Sequence, residues 1–319
     1  MSAKLYRSLV LWVLLSIGPL CAVPAWAQNF VVTCSTTSIS NLAFGTVDPQ
    51  SSLTNTTATI NFSCNNANHQ FYSGVVCFAI NDGLTNRQML SGSNTLNFGI
   101  YTDAGNSAYW GANANALIVP VQIPNDSPNW TSSATLYGQV AAGQTGALTG
   151  NYNLAFTPGQ TTMAVNVSKN FVPTDCVGAT PASTGQSFSA TATVAVTCTV
   201  SATTLDFGAP AGLLTSNVDA TSTITTTCVS GTPYQIGLNN GANASGATRR
   251  MAGGAEFISY ELYRDGSHSQ RWGNTVNTDT VTSTGNGLAQ STTVYGRVAP
   301  QTTPSPNTYS DTITVSVTY

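Results

Sequence analysis

The most regular pattern in the chain is an alternation of apolar and mostly hydroxyl-bearing residues in the segment 186–197, QSFSATATVAVT. A strict period of two predicts a β-strand with one buried face. The side chains expected on that face are Phe188, Ala190, Ala192, Val194 and Val196. Elsewhere, short runs rich in Val, Ile, Thr and Tyr alternate with clusters of Gly, Asn, Ser and Pro, and no stretch has helical spacing. The chain is therefore predicted to be all-β and to form β-sandwiches.

The chain contains two related halves. Cys34 and Cys64 have the same spacing as Cys198 and Cys228, and each first cysteine is followed by an L-x-F-G motif. Further matches occur in the same order in both halves: Asn81-Asp82-Gly83 with Asn239-Asn240-Gly241, Trp110-Gly111 with Trp272-Gly273, and Tyr137-Gly138 with Tyr295-Gly296. We therefore expect two homologous domains, 28–180 and 198–319, with a linker at 181–197.

The first 27 residues have the features of a secretory signal peptide. Lys4 and Arg7 precede a short apolar run, and small residues flank a cleavage point after Ala27. The apolar run is too short to span a bilayer. We therefore expect an exported protein whose mature chain begins at Gln28 and lies outside the cell.

Composition and cysteine spacing narrow the possible functions. Charged residues make up 7% of the chain, against about 25% in soluble domains, and no basic cluster suited to nucleic acid is present. Without a C-x-x-C pair the cysteines favour disulfides over a metal site, and no cofactor is expected. The expected disulfides are Cys34–Cys64, Cys198–Cys228 and, for the two cysteines without counterparts in the other half, Cys77–Cys176.

The repeated motifs resemble those of the spore coat protein U family. They are a cysteine, L-x-F-G, a second cysteine, N-x-G, W-G and V-Y-G-R-V, followed at the chain end by YSDTITVSVTY. Members of that family are largely subunits of archaic chaperone–usher pili. The resemblance implies two immunoglobulin-like β-sandwich domains, the C-terminal one lacking its last strand. It also implies a periplasmic chaperone and a neighbouring subunit that supply the missing strand in turn, and an outer-membrane usher.

Two segments then predict a place in the pilus. In the expected mature chain only Gln28–Thr33 precedes Cys34. A strand that completes a sandwich needs up to about ten residues, so we expect no donor segment there. The segment 186–197 is expected to complete the first domain within the same chain. The second domain is expected to accept a strand from the next subunit along Tyr309, Ile313, Val315, Val317 and Tyr319. This combination predicts a tip subunit, and the tips of such pili are commonly adhesins that mediate attachment and biofilm formation.

Apolar stretches in the first domain are candidates for the adhesive surface, because exposed apolar patches mark interaction sites. The candidate adhesive loops contain Phe71, Tyr72, Leu117, Ile118, Val119, Val121, Ile123 and Trp130. For residues 117–124 a buried strand is the preferred alternative. A third candidate is the tail 158–173, where a strand is again the preferred alternative; its apolar residues are Met163, Val165, Val167, Phe171 and Val172. The receptor is unknown, and a hydrophobic surface fits these side chains.

Catalysis has little support in the sequence, and we expect no enzyme. His69 and His268 lie beside polar turn residues in different halves and are expected to be solvated loop residues. Arg249-Arg250 is expected in a solvated turn. Two alternatives to a tip adhesin stay open. One is a structural pilus or coat subunit without a receptor, and the other is a secreted carbohydrate-binding β-sandwich protein that folds alone.

Overall fold

The computed structural model describes residues 32–82, 87–125, 127–210 and 213–319. The predicted signal peptide, residues 1–27, lies outside these ranges. Within them the chain forms twenty strands and two short 3-10 helices, so the all-β prediction is confirmed. No helix in the described ranges is long and apolar enough to cross a membrane.

The strands between residues 32 and 194 form two sheets, here called the N-terminal sandwich. The strands are β1 (Val32–Ile39), β2 (Leu42–Val47), β3 (Thr54–Asn66), β4 (Tyr72–Ile80), β5 (Arg87–Ser91), β6 (Asn94–Tyr101), β7 (Leu117–Ile123), β8 (Asn129–Val140), β9 (Gly150–Phe156), β10 (Thr161–Ser168), β11 (Thr180–Thr184) and β12 (Phe188–Val194). The 3-10 helices are Asn113–Asn115 and Pro158–Gln160. One sheet has the order β1-β3-β8-β6-β5-β9-β12-β2, and the other has the order β11-β10-β4-β7.

The strands between residues 198 and 318 form two further sheets, the C-terminal sandwich. The strands are β13 (Cys198–Ala202), β14 (Val218–Cys228), β15 (Pro233–Leu238), β16 (Arg249–Gly253), β17 (Glu256–Tyr263), β18 (Val281–Thr284), β19 (Gln290–Val298) and β20 (Val315–Thr318). The sheet orders are β13-β14-β19-β17-β16 and β18-β15-β20. Apolar side chains from both sheets share one core around Trp272, which is fully buried.

The two sandwiches correspond strand by strand. The run β1-β3-β8-β6-β5 matches β13-β14-β19-β17-β16, and the run β10-β4-β7 matches β20-β15-β18. The buried indoles agree as well, since the Nε1–H groups of Trp110 and Trp272 donate to the carbonyls of Phe78 and Ile236 at 3.0 and 2.8 Å. The large sheet of the N-terminal sandwich differs by three additional strands, β9, β12 and β2.

Two glycines at equivalent places allow the L-x-F-G segments to approach the sheet closely. A β-carbon on Gly138 would lie 2.9 Å from Leu42 Cδ2, and one on Gly296 would lie 2.8 Å from Leu205 Cδ1. Real β-carbons essentially never come that close to other heavy atoms, so any larger residue would push the leucine away. The Y-G pairs of the sequence repeat therefore have a packing role.

The disulfides among the described residues are the three expected from the sequence. Cys34–Cys64 and Cys198–Cys228 each join directly paired positions on neighbouring strands, β1 with β3 and β13 with β14. Cys77–Cys176 joins β4 to the segment 169–179, which connects β10 to β11. This third disulfide has no equivalent in the C-terminal sandwich.

Candidate binding groove

The alternating segment of the sequence lies inside the N-terminal sandwich as β12. It pairs antiparallel with β9 from Phe188–Phe156 to Val194–Gly150, and parallel with β2 from Ala190–Leu42 to Val194–Val47. β12 precedes the first cysteine of the second half, but its hydrogen-bonded neighbours all belong to the first half. The N-terminal sandwich is thus filled by a strand from the end of its own segment of the chain.

The buried face of β12 explains why the sequence alternates. Its side chains point into the core and are at most 4% exposed: Phe188, Ala190, Ala192 and Val194. The ring of Phe188 stacks on Phe156 with centroids 4.4 Å apart. The prediction that Val196 also lies on this buried face is wrong. It lies beyond the end of β12 and is 41% exposed, because the chain leaves the sandwich after Val194 to start β13.

The same place in the C-terminal sandwich is an open groove of about 440 Å³. One wall is the segment 203–207, the counterpart of β2, and the other is the segment 309–313, which corresponds to residues of β9. Neither of the segments 203–210 and 304–314 belongs to a strand. Both segments lack the neighbour that β12 gives to β2 and β9, which explains why they are not strands.

Matched apolar residues show the effect of the empty groove. In the N-terminal sandwich, Leu42, Phe44, Met89 and Phe156 are at most 6% exposed. The equivalent side chains are only partly buried in the C-terminal sandwich, and they are Leu205, Phe207, Met251 and Ile313. The floor and walls of the groove are therefore core positions without their cover.

The backbone beside the groove is bonded on one side only. Ser310 and Ala252 exchange two hydrogen bonds at 2.9 and 3.0 Å, and Ala242 N–H donates to the Thr312 carbonyl at 3.0 Å. These bonds correspond to the β5–β9 side of the N-terminal sandwich. Within the described ranges, no hydrogen-bond partner is found for the backbone groups of residues 309, 311 and 313. Such a row of unpaired groups is a template for an added strand.

The residues predicted for an acceptor strand do not form one strand. Tyr309, Ile313 and Val315 line the groove, whereas Val317 lies in β20 and packs against the core. Tyr319 is 60% exposed, and the prediction that it lies in the groove is wrong. The physical reason is the register, since β12 covers only residues 150–156 of the first half, which correspond to 307–313.

Asp311 brings a hydrogen-bonded carboxylate to the wall of the groove. Asp311 accepts hydrogen bonds from the Tyr260 hydroxyl at 2.8 Å and from Asn243 N–H and Nδ2–H at 3.0 and 3.2 Å. Burial raises the pKa of Tyr260, and the hydrogen bond to Asp311 raises it further, so the phenol stays protonated and remains a donor. The groove therefore contains a carboxylate beside an otherwise mainly apolar wall.

The candidate adhesive residues fall into two groups. Four are buried and cannot form an exposed adhesive loop: Tyr72, Leu117, Val121 and Ile123. For Leu117, Val121 and Ile123 the alternative of a buried strand is the correct one. They lie in β4 and in β7, an edge strand whose alternate side chains point into the core. Val119 and Trp130 are half-buried in β7 and β8. Phe71 and Ile118 remain exposed, by 51% and 42%.

A different segment, 169–179, carries larger apolar exposure. Phe171, Val172 and Val177 are exposed by 67%, 63% and 81%. The Asn166 amide donates to the carbonyls of Asp175 and Val177 at 3.0 and 3.1 Å, and Cys176 is bonded to Cys77. We call this segment the pinned loop, because a disulfide and a side-chain amide hold it to the sheet. Both alternatives expected for the tail 158–173 have a counterpart: Thr161–Ser168 is the strand β10, and Phe171 and Val172 beyond it are exposed.

The pinned loop lies at the pole of the N-terminal sandwich that is remote from the C-terminal sandwich. β12 leaves toward β13 at Val194, which pairs with Gly150 at the start of β9. From there the chain runs away from this junction through β9 and then β10, and β11 returns beside β10 with Thr162 opposite Thr184. The pinned loop joins the far ends of β10 and β11.

The sequence analysis also missed two buried arginines. Arg87 and Arg249 are 0% exposed and occupy equivalent positions at the start of β5 and β16. Arg249 forms an ion pair with Glu261 and donates to the carbonyls of Leu238 and Trp272 at 3.0 and 2.7 Å. The predicted solvated turn is therefore wrong, because five guanidinium donors can satisfy several buried carbonyls at once.

The second histidine also differs from the prediction. His69 is exposed in a turn, as expected. The side chain of His268 is only 7% exposed and lies edge-on between Tyr263 and Tyr295, 3.8 Å from Asp219. Among the described residues, no group of three or more His, Cys, Asp or Glu side chains could hold a metal ion.

The fold and groove define a protein of two β-sandwiches, one filled by its own chain and one open. The family model of the spore coat protein U domain matches residues 22–157 and 184–316. The chain therefore belongs to the spore coat protein U domain family, and the predicted family is confirmed. The second match begins before β12, so the family model assigns to the second copy a strand that the structure places in the first sandwich.

Comparison with solved structures gives the same fold. The chain is similar to the CsuC–CsuE chaperone–tip adhesion subunit pre-assembly complex from archaic chaperone–usher Csu pili of Acinetobacter baumannii. The identity is 16%, the match covers 90% of this chain and 100% of that chain, and the TM-score is 0.52. The CupB6 tip adhesin from Pseudomonas aeruginosa matches at 10% identity over 90% and 94% of the chains, with a TM-score of 0.33. No curated protein sequence is significantly similar to the chain.

Proposed function

We propose that this protein is a two-domain tip adhesin subunit of a chaperone–usher pilus. The observation that carries the proposal is the open groove of the C-terminal sandwich, at the place where β12 fills the N-terminal sandwich. A strand from a neighbouring subunit, and a periplasmic chaperone before it, would occupy this groove by strand addition. The outer-membrane usher would catalyse the exchange during export to the cell surface.

The two different grooves support a position at the tip of the pilus. The N-terminal sandwich is complete without a partner, so only the C-terminal sandwich needs a strand from outside the chain. Such a chain joins a fibre through one sandwich and presents the other. The similar solved structure is a complex that contains a tip adhesion subunit, and this supports the same assignment.

The groove is tested by supplying the missing strand to the full chain. A copy of residues 186–197 is fused behind Tyr319 through a linker as long as the segment between β10 and β12, which spans the same distance in the N-terminal sandwich. We expect the fusion to raise the soluble yield and to increase hydrogen-exchange protection in 203–210 and 304–314. The control fusion carries Asp in place of the residues that match Ala190 and Ala192. Equal protection in both fusions, or full protection in the unfused chain, would contradict the proposal and favour an autonomous secreted β-sandwich protein.

The adhesive surface in this proposal is the pinned loop together with Phe71 and Ile118. Ile118 pairs with Cys77, whose disulfide partner Cys176 precedes the exposed Val177, so Ile118 lies near this part of the pinned loop. Contiguous exposed apolar groups mark interaction sites. Their place at the pole remote from the C-terminal sandwich would present them to an apolar surface, as attachment and biofilm formation require.

The adhesive role is tested by removing apolar area without changing the core. The double variant Phe171→Ser and Val172→Ser is expected to lower attachment of piliated cells to a hydrophobic surface at least about fivefold, with unchanged piliation. The matched control is Leu53→Ser, at an exposed leucine elsewhere in the same sandwich. Unchanged attachment of the double variant would favour a structural pilus subunit without this adhesive surface.

A further inference from the structure

The open groove has a carboxylate, Asp311, where the filled groove has a leucine, Leu154. Leu154 of β9 corresponds to Asp311, because its neighbour Asn153 pairs with Leu90 as Ser310 does with Ala252. In the N-terminal sandwich, Leu154 lies opposite Ala190 of β12, which is 0% exposed. A strand in the open groove at the same register would place one side chain next to the Asp311 carboxylate.

A second wall position is also more polar in the open groove than in the filled one. Phe98, paired with Arg87, corresponds to Tyr260, paired with Arg249. The Tyr260 hydroxyl donates to Asp311 at 2.8 Å, so both replacements make the open groove more polar at this point. The next position along the wall is unchanged. Tyr152 and Tyr309 both donate to the carbonyl four residues earlier, at 2.7 and 2.8 Å.

The Asp311 carboxylate has room for one more donor. A carboxylate offers about four acceptor sites, and the contacts among the described residues occupy three of them, one from Tyr260 and two from Asn243. An alanine at the position of Ala190 would cover the charge without a hydrogen bond, which is unfavourable in a desolvated site. Side chains that are directly opposite in an antiparallel pair have β-carbons about 4.5–5.5 Å apart, within reach of a short hydroxyl or amide.

We propose that the open groove selects a donor strand with a small hydrogen-bond donor, such as Ser, Thr or Asn, at the position that Ala190 holds in β12. Asp311 is then a specificity-determining residue for the strand of the neighbouring subunit. It also disfavours the β12 of a second copy of this chain, which has alanine at that position. The inference rests on the proposed function and adds which strand the groove accepts.

The test is a competition between two peptides that differ only at this position. Both copy residues 186–197, one with Ala190→Thr and the other with Ala190→Val, since Thr and Val have the same shape and differ in one hydroxyl group. The full chain is refolded with an equimolar mixture, the complex is isolated, and the bound ratio is measured by mass spectrometry. We expect the Thr peptide in about tenfold excess, as for a hydrogen bond to a charged group.

Variants of Asp311 separate a specific contact from general polarity. Asp311→Asn keeps one acceptor oxygen and the shape of the side chain. The ratio of bound Thr peptide to bound Val peptide should therefore fall but still favour Thr. Asp311→Leu copies the N-terminal sandwich and should reverse the preference toward Val. Recovery of neither peptide with the wild-type chain would contradict the proposed function itself. Recovery of both in equal amounts, or a ratio that does not respond to either variant, would overturn the selectivity and leave the groove in place.

Discussion

The N-terminal and C-terminal sandwiches have the same strand plan but differ by one strand. In the first, β12 turns its neighbours into the strands β9 and β2 and buries Leu42, Phe44 and Phe156. In the second, the matching segments 203–210 and 304–314 are not strands, and a groove of about 440 Å³ remains. The comparison shows that a strand of seven residues with alternating apolar side chains, Phe188–Val194, completes such a sandwich.

The comparison also separates where β12 stands in the sequence from the sandwich in which it pairs. β12 stands directly before the first cysteine of the second copy, and the family model includes it in that copy. Its pairing with β9 and β2 belongs to the first copy. The connection of three residues between Val194 and Cys198 therefore links a completed sandwich to the next one in the same chain.

The largest expected effect comes from opening the filled groove. Ala192→Asp places a carboxylate at a position that is 4% exposed in β12, and a buried unpaired charge costs about 3–5 kcal/mol. We expect hydrogen-exchange protection to fall in β9 and β2 until they resemble 304–314 and 203–210. Thr193→Asp, on the exposed face of the same strand, should change stability by less than about 0.5 kcal/mol. Normal protection of β9 in the Ala192 variant would show that β12 does not hold the sandwich together.

The second difference between the sandwiches is the disulfide of the pinned loop. The double variant Cys77→Ala and Cys176→Ala removes a crosslink between residues 99 apart in sequence, which is expected to cost about 2–4 kcal/mol. Denaturant unfolding followed by hydrogen exchange should show the loss in the N-terminal sandwich only. Faster proteolysis within 169–179 should accompany it, because Asn166 alone then holds the loop. A loss of equal size in β13–β20 would mean that the two sandwiches do not unfold independently.

The polar position can be transferred from the open groove to the filled one. Leu154→Asp copies Asp311 into a site that faces Ala190 and is expected to destabilise the N-terminal sandwich by about 1–3 kcal/mol. Adding Ala190→Thr should recover about 1 kcal/mol of this loss, because the hydroxyl can donate to the new carboxylate. Asn153→Asp, on the exposed face of β9, is the matched control for added charge. If Ala190→Thr gives no recovery, the opposed positions do not interact.

Part of this architecture could be predicted from the sequence, because the relevant signals are local. The alternation from Phe188 to Val194, the equal cysteine spacing and the L-x-F-G and W-G motifs are all visible in short windows, and each has its counterpart in the structure. The strand at 186–197 could also be assigned to the first half, because the family resemblance supplied the logic of a donor strand.

Other features depend on neighbours that are distant in the sequence. The alternation of residues 117–123 does not tell which face meets a second sheet, so the sequence left Val121 and Ile123 open between an adhesive loop and a buried strand, and the structure makes them core residues. Arg249 is buried only because carbonyls from Leu238, Asn239 and Trp272 converge on it. The match between Asp311 and Leu154 required the pairing with Ala252 and Leu90, since the two segments have little sequence in common.

The smallest expected effect concerns two equivalent tyrosines, Tyr152 beside the filled groove and Tyr309 beside the open one. Tyr152 is 1% exposed and its hydroxyl donates to the Leu148 carbonyl, whereas Tyr309 is partly exposed and donates to the Ser305 carbonyl. Burial raises the pKa of Tyr152, so its hydroxyl remains a donor well above neutral pH. Tyr152→Phe should cost about 1–1.5 kcal/mol, because the carbonyl is left without this donor in a dry site.

Tyr309→Phe should cost less, about 0.5 kcal/mol, because water in the open groove can replace the lost hydrogen bond. The measurement is chemical denaturation of both variants with and without a donor strand fused behind Tyr319. With the groove filled, the cost of Tyr309→Phe should rise toward that of Tyr152→Phe, since the donor strand excludes water from the second wall as β12 does from the first. Equal costs in the unfused chain would mean that the two walls are already equally dry, and that the second groove is not open to solvent.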